Sequence, residues 1–157
     1  MKIFYHCYGG AHTSIVCAAI HLNYLPKDNI PAAFAFKEIP FYDKMKNNDI
    51  GSTVFVGTDE YGCDIYIMGM RNGREVVIPA IKGYLNEHYI TNNDILFVNA
   101  LVELHPVTAL GGMLSRRLGL VSIGQPLTIW GIRRYYKIFV ELVGKVQQKE
   151  RDIISSS

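Results

Sequence analysis

The sequence predicts a single three-layer α/β domain, its sheet mostly parallel with one antiparallel hairpin. Three observations carry this. The chain opens on an apolar, aromatic-rich run, Lys2-Ile3-Phe4-Tyr5-His6-Cys7-Tyr8, that stops at Gly9-Gly10 and gives way to a helical run. β-Branched and aromatic residues suit a pleated, half-buried surface, whereas paired glycines free the backbone to turn. Strand-like and helix-like runs then alternate along the chain, the pattern of a sheet covered by helices. Finally, Thr53–Gly57 and Cys63–Gly69 read as strands separated only by Thr58–Gly62. A turn that short holds no crossover helix, so this pair is antiparallel.

In chain order, Thr13 or Ser14 offers a hydroxyl N-cap, and an apolar helix continues to about Leu25, where Pro26 ends it. Ile15, Val16, Cys17, Ala18, Ala19, Ile20 and Leu22 leave that helix no polar face, so it should be buried against the sheet. Residues 30–50 read as an irregular connection, with Ala32–Phe36 a short strand or a helical turn and Phe41–Met45 a short helix after Pro40. A helix is expected from about Val76 to Leu85 and a buried strand over Asp94–Ala100. His105–Leu118 suggests a helix interrupted by Gly111-Gly112 and closed by Gly119. Leu127–Ile132 reads as a last strand. Arg133–Arg151 reads as an amphipathic helix whose stripe is Tyr135, Ile138, Phe139, Leu142, Val143 and Val146. The domain is expected to span residues 1–152, with 153–157 a disordered tail.

Of 157 residues, 49% are apolar and 19% charged, which excludes a disordered or coiled-coil chain. A net charge of +2 supplies no field for nucleic acid or an anionic membrane. The basic residues of the last helix, beside Tyr135-Tyr136, are diluted by Glu141, Glu150 and Asp152 and read as a solvated face, so no nucleic-acid partner is expected. No apolar run reaches membrane-spanning length, and the N-terminus reads as a strand and not a signal peptide. Three cysteines at unpatterned spacings make no disulfide framework, so a cytoplasmic location is expected.

The first loop carries the chemistry. A strand, bare glycine amides and a helix N-terminus converge N–H donors and the helix dipole on one point, which is how proteins build anion sites. Gly9, Gly10, His12, Thr13 and Ser14 are therefore candidate ligands for a phosphorylated small molecule or nucleotide, with His12 also a candidate acid–base group. Neither G-x-x-x-x-G-K-[ST] nor G-x-G-x-x-G is present. The loop lacks a cation, and Arg116-Arg117 after Gly111-Gly112 is the expected source. The plainer alternatives are an unliganded strand-to-helix turn, and arginines that complement a helix C-terminus.

His6-Cys7 through Ser14 also resembles the protein tyrosine phosphatase signature H-C-x-x-G-x-x-R-[ST], matching at His6, Cys7, Gly10 and Ser14. The resemblance implies a Cys7 thiolate nucleophile and, by analogy, Asp59 as general acid. It departs where Thr13 replaces the phosphate-clamping arginine. Cys7 as a plain buried thiol is the structural alternative. For a metal, Cys17 and His21 share a helix face, but no C-x-x-C or H-E-x-x-H pattern is present and no metal is expected. No cofactor is indicated.

Tyr8–Ser14, Ala19–Pro26, Gly57-Thr58-Asp59 and Gly111–Leu120 together resemble an uncharacterised domain-of-unknown-function family of spore-forming Gram-positive bacteria, family number 3189. The resemblance runs to about Trp130 and implies a small cytoplasmic bacterial protein, without lending it an activity. The expected function is binding of a phosphorylated small molecule or nucleotide. A non-enzymatic regulatory or protein-interaction domain is one alternative, and a phosphatase-like cysteine enzyme the other.

Overall fold

The computed structural model describes residues 1–45, 49–91, 94–101 and 121–156. Four strands form one sheet in the order β2-β3-β1-β4: β1 (Lys2–Cys7), β2 (Thr53–Thr58), β3 (Asp64–Gly69) and β4 (Ile95–Asn99). β1 is central and parallel to both neighbours, with Tyr5 opposite Ile67 on one side and Val98 on the other. β2 runs antiparallel to β3 at the edge, as the short Thr58–Gly62 turn requires. The helices are α1 (Thr13–His21), α2 (Ala33–Glu38), α3 (Arg74–Glu87), α4 (Val121–Arg134) and α5 (Tyr136–Ser155).

Strand alternation divides β1 between two faces. Ile3, Tyr5 and Cys7 are buried on the face shared with Ile65 and Ile67 of β3. Phe4 stacks at 4.8 Å on Tyr66 and 5.2 Å on Phe97, an aromatic row across the other face. All nine residues of α1 are buried, because it is packed on β1, β3 and α5 together. It ends where Asn23 adopts φ +58 and the Tyr24 N–H reaches back to Ala19 O, a left-handed C-terminal cap. No side chain caps its N-terminus: the N-cap is His12, Thr13 begins the helix, and the Ser14 hydroxyl turns to Cys7 instead.

Three expectations are corrected. Leu127–Ile132 is not a strand but the second half of α4, with Gly124, Thr128, Ile129, Gly131 and Ile132 buried at helical spacing. Tertiary packing overrides the β-branched propensity here: α4 lies on α2, and the Tyr42 hydroxyl donates to Thr128 Oγ1. Ala32–Phe36, expected as a short strand or a helical turn, takes the helical alternative and falls mostly in α2. In α5 the buried face is Tyr136, Phe139, Val143, Val146, Gln147 and Glu150, while Ile138 is exposed. Gln147 donates to His21 O and accepts from Lys27, so polar anchors draw the helix round from the stripe that hydropathy picks out. The helix continues to Ser155, through residues expected to form a tail. The anticipated His105–Leu118 helix lies outside the described residues.

One backbone contact seats the loop after β1. A Cβ on Gly69 would stand 2.8 Å from Gly9 C and 2.9 Å from Gly9 O; one on Gly10, at φ +72, would stand 2.8 Å from Gly69 N. Real side chains cannot approach backbone so closely. We expect Gly69→Ala to cost on the order of 2–3 kcal/mol in urea unfolding, because rigid backbone on both sides cannot yield. Gly62→Ala, at φ +76 but facing open space, should cost only the left-handed strain of about 1 kcal/mol. Equal costs would show that conformation and not close approach governs the contact.

Candidate functional site

Cys7 is the last residue of β1, and its sulfur is where the following loop closes. The Gly10 N–H donates to Sγ at 3.1 Å, and Ser14 Oγ lies 3.2 Å from it. Burial would push the thiol up, but the Ser14 hydroxyl and amide, the Thr13 hydroxyl and the Gly10 amide outweigh it and bring Cys7 below the ordinary thiol range. The other two cysteines go the opposite way: burial raises Cys17, and burial next to Glu150 pushes Cys63 up to about 12.

Cys7 is one of the residues lining a pocket of about 250 Å³. The wall is built at the carboxyl ends of three parallel strands, with His6 from β1 and Tyr8 just after it, Arg71 and Arg74 following β3, and Asn99 from β4. Backbone pairing puts Arg71 there. Beyond β3 the Met70 and Arg71 N–H groups continue the parallel ladder onto Cys7 O and Tyr8 O, at 3.0 and 2.8 Å. Arg71 then takes φ +48 in a turn closed by Gly73 N–H to Met70 O, a left-handed conformation costing a non-glycine residue about 1–2 kcal/mol. Arg74 opens α3 with its Nε 2.9 Å from Glu75 Oε1. Burial, and then the Arg74 charge, lower the pKa of His6, which favours a neutral imidazole beside Cys7.

The residues singled out in the sequence are distributed differently. Gly9, Gly10, Thr13 and Ser14 form the buried support behind Cys7 and do not line the pocket. His12 turns away: its Nε2 lies 2.9 Å from Asp43 Oδ1, and its ring stands against Tyr42. Asp59 follows β2, whose Thr58 pairs with Asp64 at the start of β3, so it sits at the opposite edge of the sheet from Cys7. Five residues of β1 separate those edges, ~17 Å. Asp59 bonds His21 there and does not line the Cys7 pocket. Arg116 and Arg117 lie outside the described residues. The cations that line this pocket, Arg71 and Arg74, fall in the sequence in a turn between the Cys63–Gly69 strand and the helix expected from Val76; their signal is position, since both closely follow a strand parallel to β1.

The fold and this pocket define an α/β domain with a cysteine at the carboxyl edge of its central parallel strand, the edge where such sheets take ligands. The family described as protein of unknown function (DUF3189) matches residues 2–148, and the chain belongs to it. No curated protein and no solved structure matches the chain. Among the described residues, no helix is long and apolar enough to cross a membrane.

The sulfur environment makes a measurable prediction. Iodoacetamide should modify Cys7 before Cys17 and Cys63 in the native protein, with a pH midpoint below that of a free thiol. Ser14→Ala should move this midpoint up by removing a donor to the thiolate. Peptide mass mapping across pH reads both, and preferential labelling of Cys17 or Cys63 would contradict the assigned environment.

Proposed function

We propose that this chain binds a small phosphorylated molecule, a nucleotide or phosphate ester, in the pocket at the carboxyl edge of the sheet. One observation carries the reading: Cys7 lines the same cavity as Arg71 and Arg74. Guanidinium groups suit phosphate because their planar N–H forks bond two oxygens at once. The strained φ of Arg71 adds weight, since backbone strain gathers where a side chain must be aimed. The setting is the cytoplasm, in keeping with three free cysteines.

The catalytic version of this reading rests on the Cys7–Ser14 contact and the lowered thiol, both features of an activated nucleophile. In it the thiolate attacks phosphorus, the ester P–O bond breaks, and the leaving oxygen takes a proton. Water then hydrolyses the phosphocysteine, releasing phosphate and restoring the thiol. Thr13 in place of the signature arginine, and the remoteness of Asp59, favour ligand binding by a regulatory domain over turnover.

A thermal-shift screen against phosphate, sulfate, nucleotides and sugar phosphates tests the site. A ligand at ~100 times its dissociation constant adds about 2.7 kcal/mol, a rise of several degrees for a chain of this size. Arg71→Gly combined with Arg74→Ala should weaken the response at least tenfold, since a charged hydrogen bond contributes about 1.5–3 kcal/mol. Arg71→Gly should leave the ligand-free midpoint near that of the wild type, because it relieves strain as it removes the guanidinium. Wild-type indifference to every anion would overturn the proposal. With a ligand in hand, Cys7→Ser separates the two versions: loss of ester hydrolysis with binding retained identifies the enzyme.

A further inference from the structure

A second cluster lies at the other end of α1, and the pocket at Cys7 makes no use of it. His21, the last residue of α1, is 1% exposed. Its Nδ1 is hydrogen-bonded to the Tyr5 hydroxyl at 2.8 Å. Its Nε2 lies 3.1 Å from Asp59 Oδ2 and 3.2 Å from Glu150 Oε2. The two carboxylate side chains are 3% and 0% exposed. Asp59 is held by its own turn, Oδ1 accepting the Tyr61 and Cys63 N–H groups at 2.9 Å each, which leaves Oδ2 facing the ring.

Glu150 has no such support. Both of its carboxylate oxygens are buried, and neither has a hydrogen-bond partner among the described residues. The approach of His21 does not supply one, because Nε2 is hydrogen-bonded to Asp59 Oδ2 and only lies near Glu150 Oε2. A buried carboxylate without donors is costly, and such groups are ordinarily paired or bound to a metal. Here an interior region encloses two carboxylates and one imidazole.

We propose that His21 Nε2, Asp59 and Glu150 bind a divalent transition-metal ion of the zinc class. Their donor atoms all lie within 4.8 Å of one another. The two nitrogen-to-oxygen edges, 3.1 and 3.2 Å, compare with ~3.3 Å between ligands of a tetrahedral ion with bonds of about 2.05 Å. A +2 ion with a neutral imidazole makes the two-carboxylate cluster neutral, which suits its burial. Tyr5 completes the arrangement: when Nδ1–H donates to its hydroxyl, the tautomer is fixed and the Nε2 lone pair faces the carboxylates. Imidazole nitrogen favours a borderline ion such as Zn²⁺ over Mg²⁺ or Ca²⁺, which select oxygen ligands. The ion would join the end of α1, the β2–β3 turn and α5, three segments distant in the sequence.

Chelator-stripped full-length protein titrated with ZnCl₂ by calorimetry should take up one equivalent, and its thermal midpoint should rise with zinc but not with magnesium. Glu150→Gln, nearly the same shape, should weaken uptake at least tenfold while the circular dichroism spectrum stays native. Asp64→Asn, in the exposed Lys2 pair, should leave uptake unchanged. Absence of saturable zinc uptake by the wild type, or uptake unaltered in Glu150→Gln, overturns the assignment. Should Glu150→Gln not fold, cobalt(II) added to the wild type decides: intense four-coordinate d–d bands support the site, and the weak spectrum of aqueous cobalt refutes it.

Discussion

Much of this structure depends on the contact between the Gly9-Gly10 backbone and Gly69. Two chain segments meet there without a Cβ between them, closer than any pair of side-chain-bearing residues could come. The approach lets the backbone pairing between β1 and β3 run two residues past the end of β3, with Met70 and Arg71 donating to Cys7 O and Tyr8 O. It therefore decides where Arg71 emerges and which wall of the pocket it forms. The same seating folds the loop inward, so that its amide and hydroxyl donors converge on a sulfur and not on open solvent. A side chain at either position would separate the thiol from the cations that share its cavity.

The thiol and the pocket are thus built by different parts of the chain. Local sequence provides the support: Gly10 and Ser14 lie three and seven residues after Cys7 and bond its sulfur directly. The charge comes from the far side of a strand that arrives more than sixty residues later. Electrostatic work is divided in the same way. Donors within the loop offset the desolvation of Cys7, and Arg74 acts on the neighbouring His6.

α1 ties this region to the opposite edge of the sheet. Its first turn closes on Cys7, and its last residue enters the Tyr5–His21–Asp59–Glu150 cluster, so one fully buried helix touches both polar centres. A helix buried on every side has little freedom to shift, because the interior around it is close-packed. The β2–β3 turn and α5 meet at its end, where buried carboxylates replace the hydrophobic contacts that a core would ordinarily use. That substitution sets α5 apart from a simple amphipathic helix and explains why Gln147 and Glu150 belong to its inner face.

The sequence by itself determined the elements whose signal is local. β1, the turn after it, the apolar α1 and the β2–β3 hairpin follow from β-branched runs, paired glycines and a connection too short for a crossover. It also placed Cys7 at the end of a strand, whereas the contact of its sulfur with Ser14 emerged only in the structure. Tertiary structure alone decided the rest. Leu127–Ile132 is a helix because its burial repeats at helical spacing against α2, a contact that propensity does not register. His12 left the candidate site because Asp43 pairs with it, and Asp59 because strand register carried it to the other edge. Arg71 and Arg74 entered for the converse reason, as β3 lies beside β1. His21, Asp59 and Glu150 stand at spacings that match no motif, and packing of α1, the hairpin and α5 brings their donor atoms together. Long-range pairing fixes such positions, and no local periodicity records it.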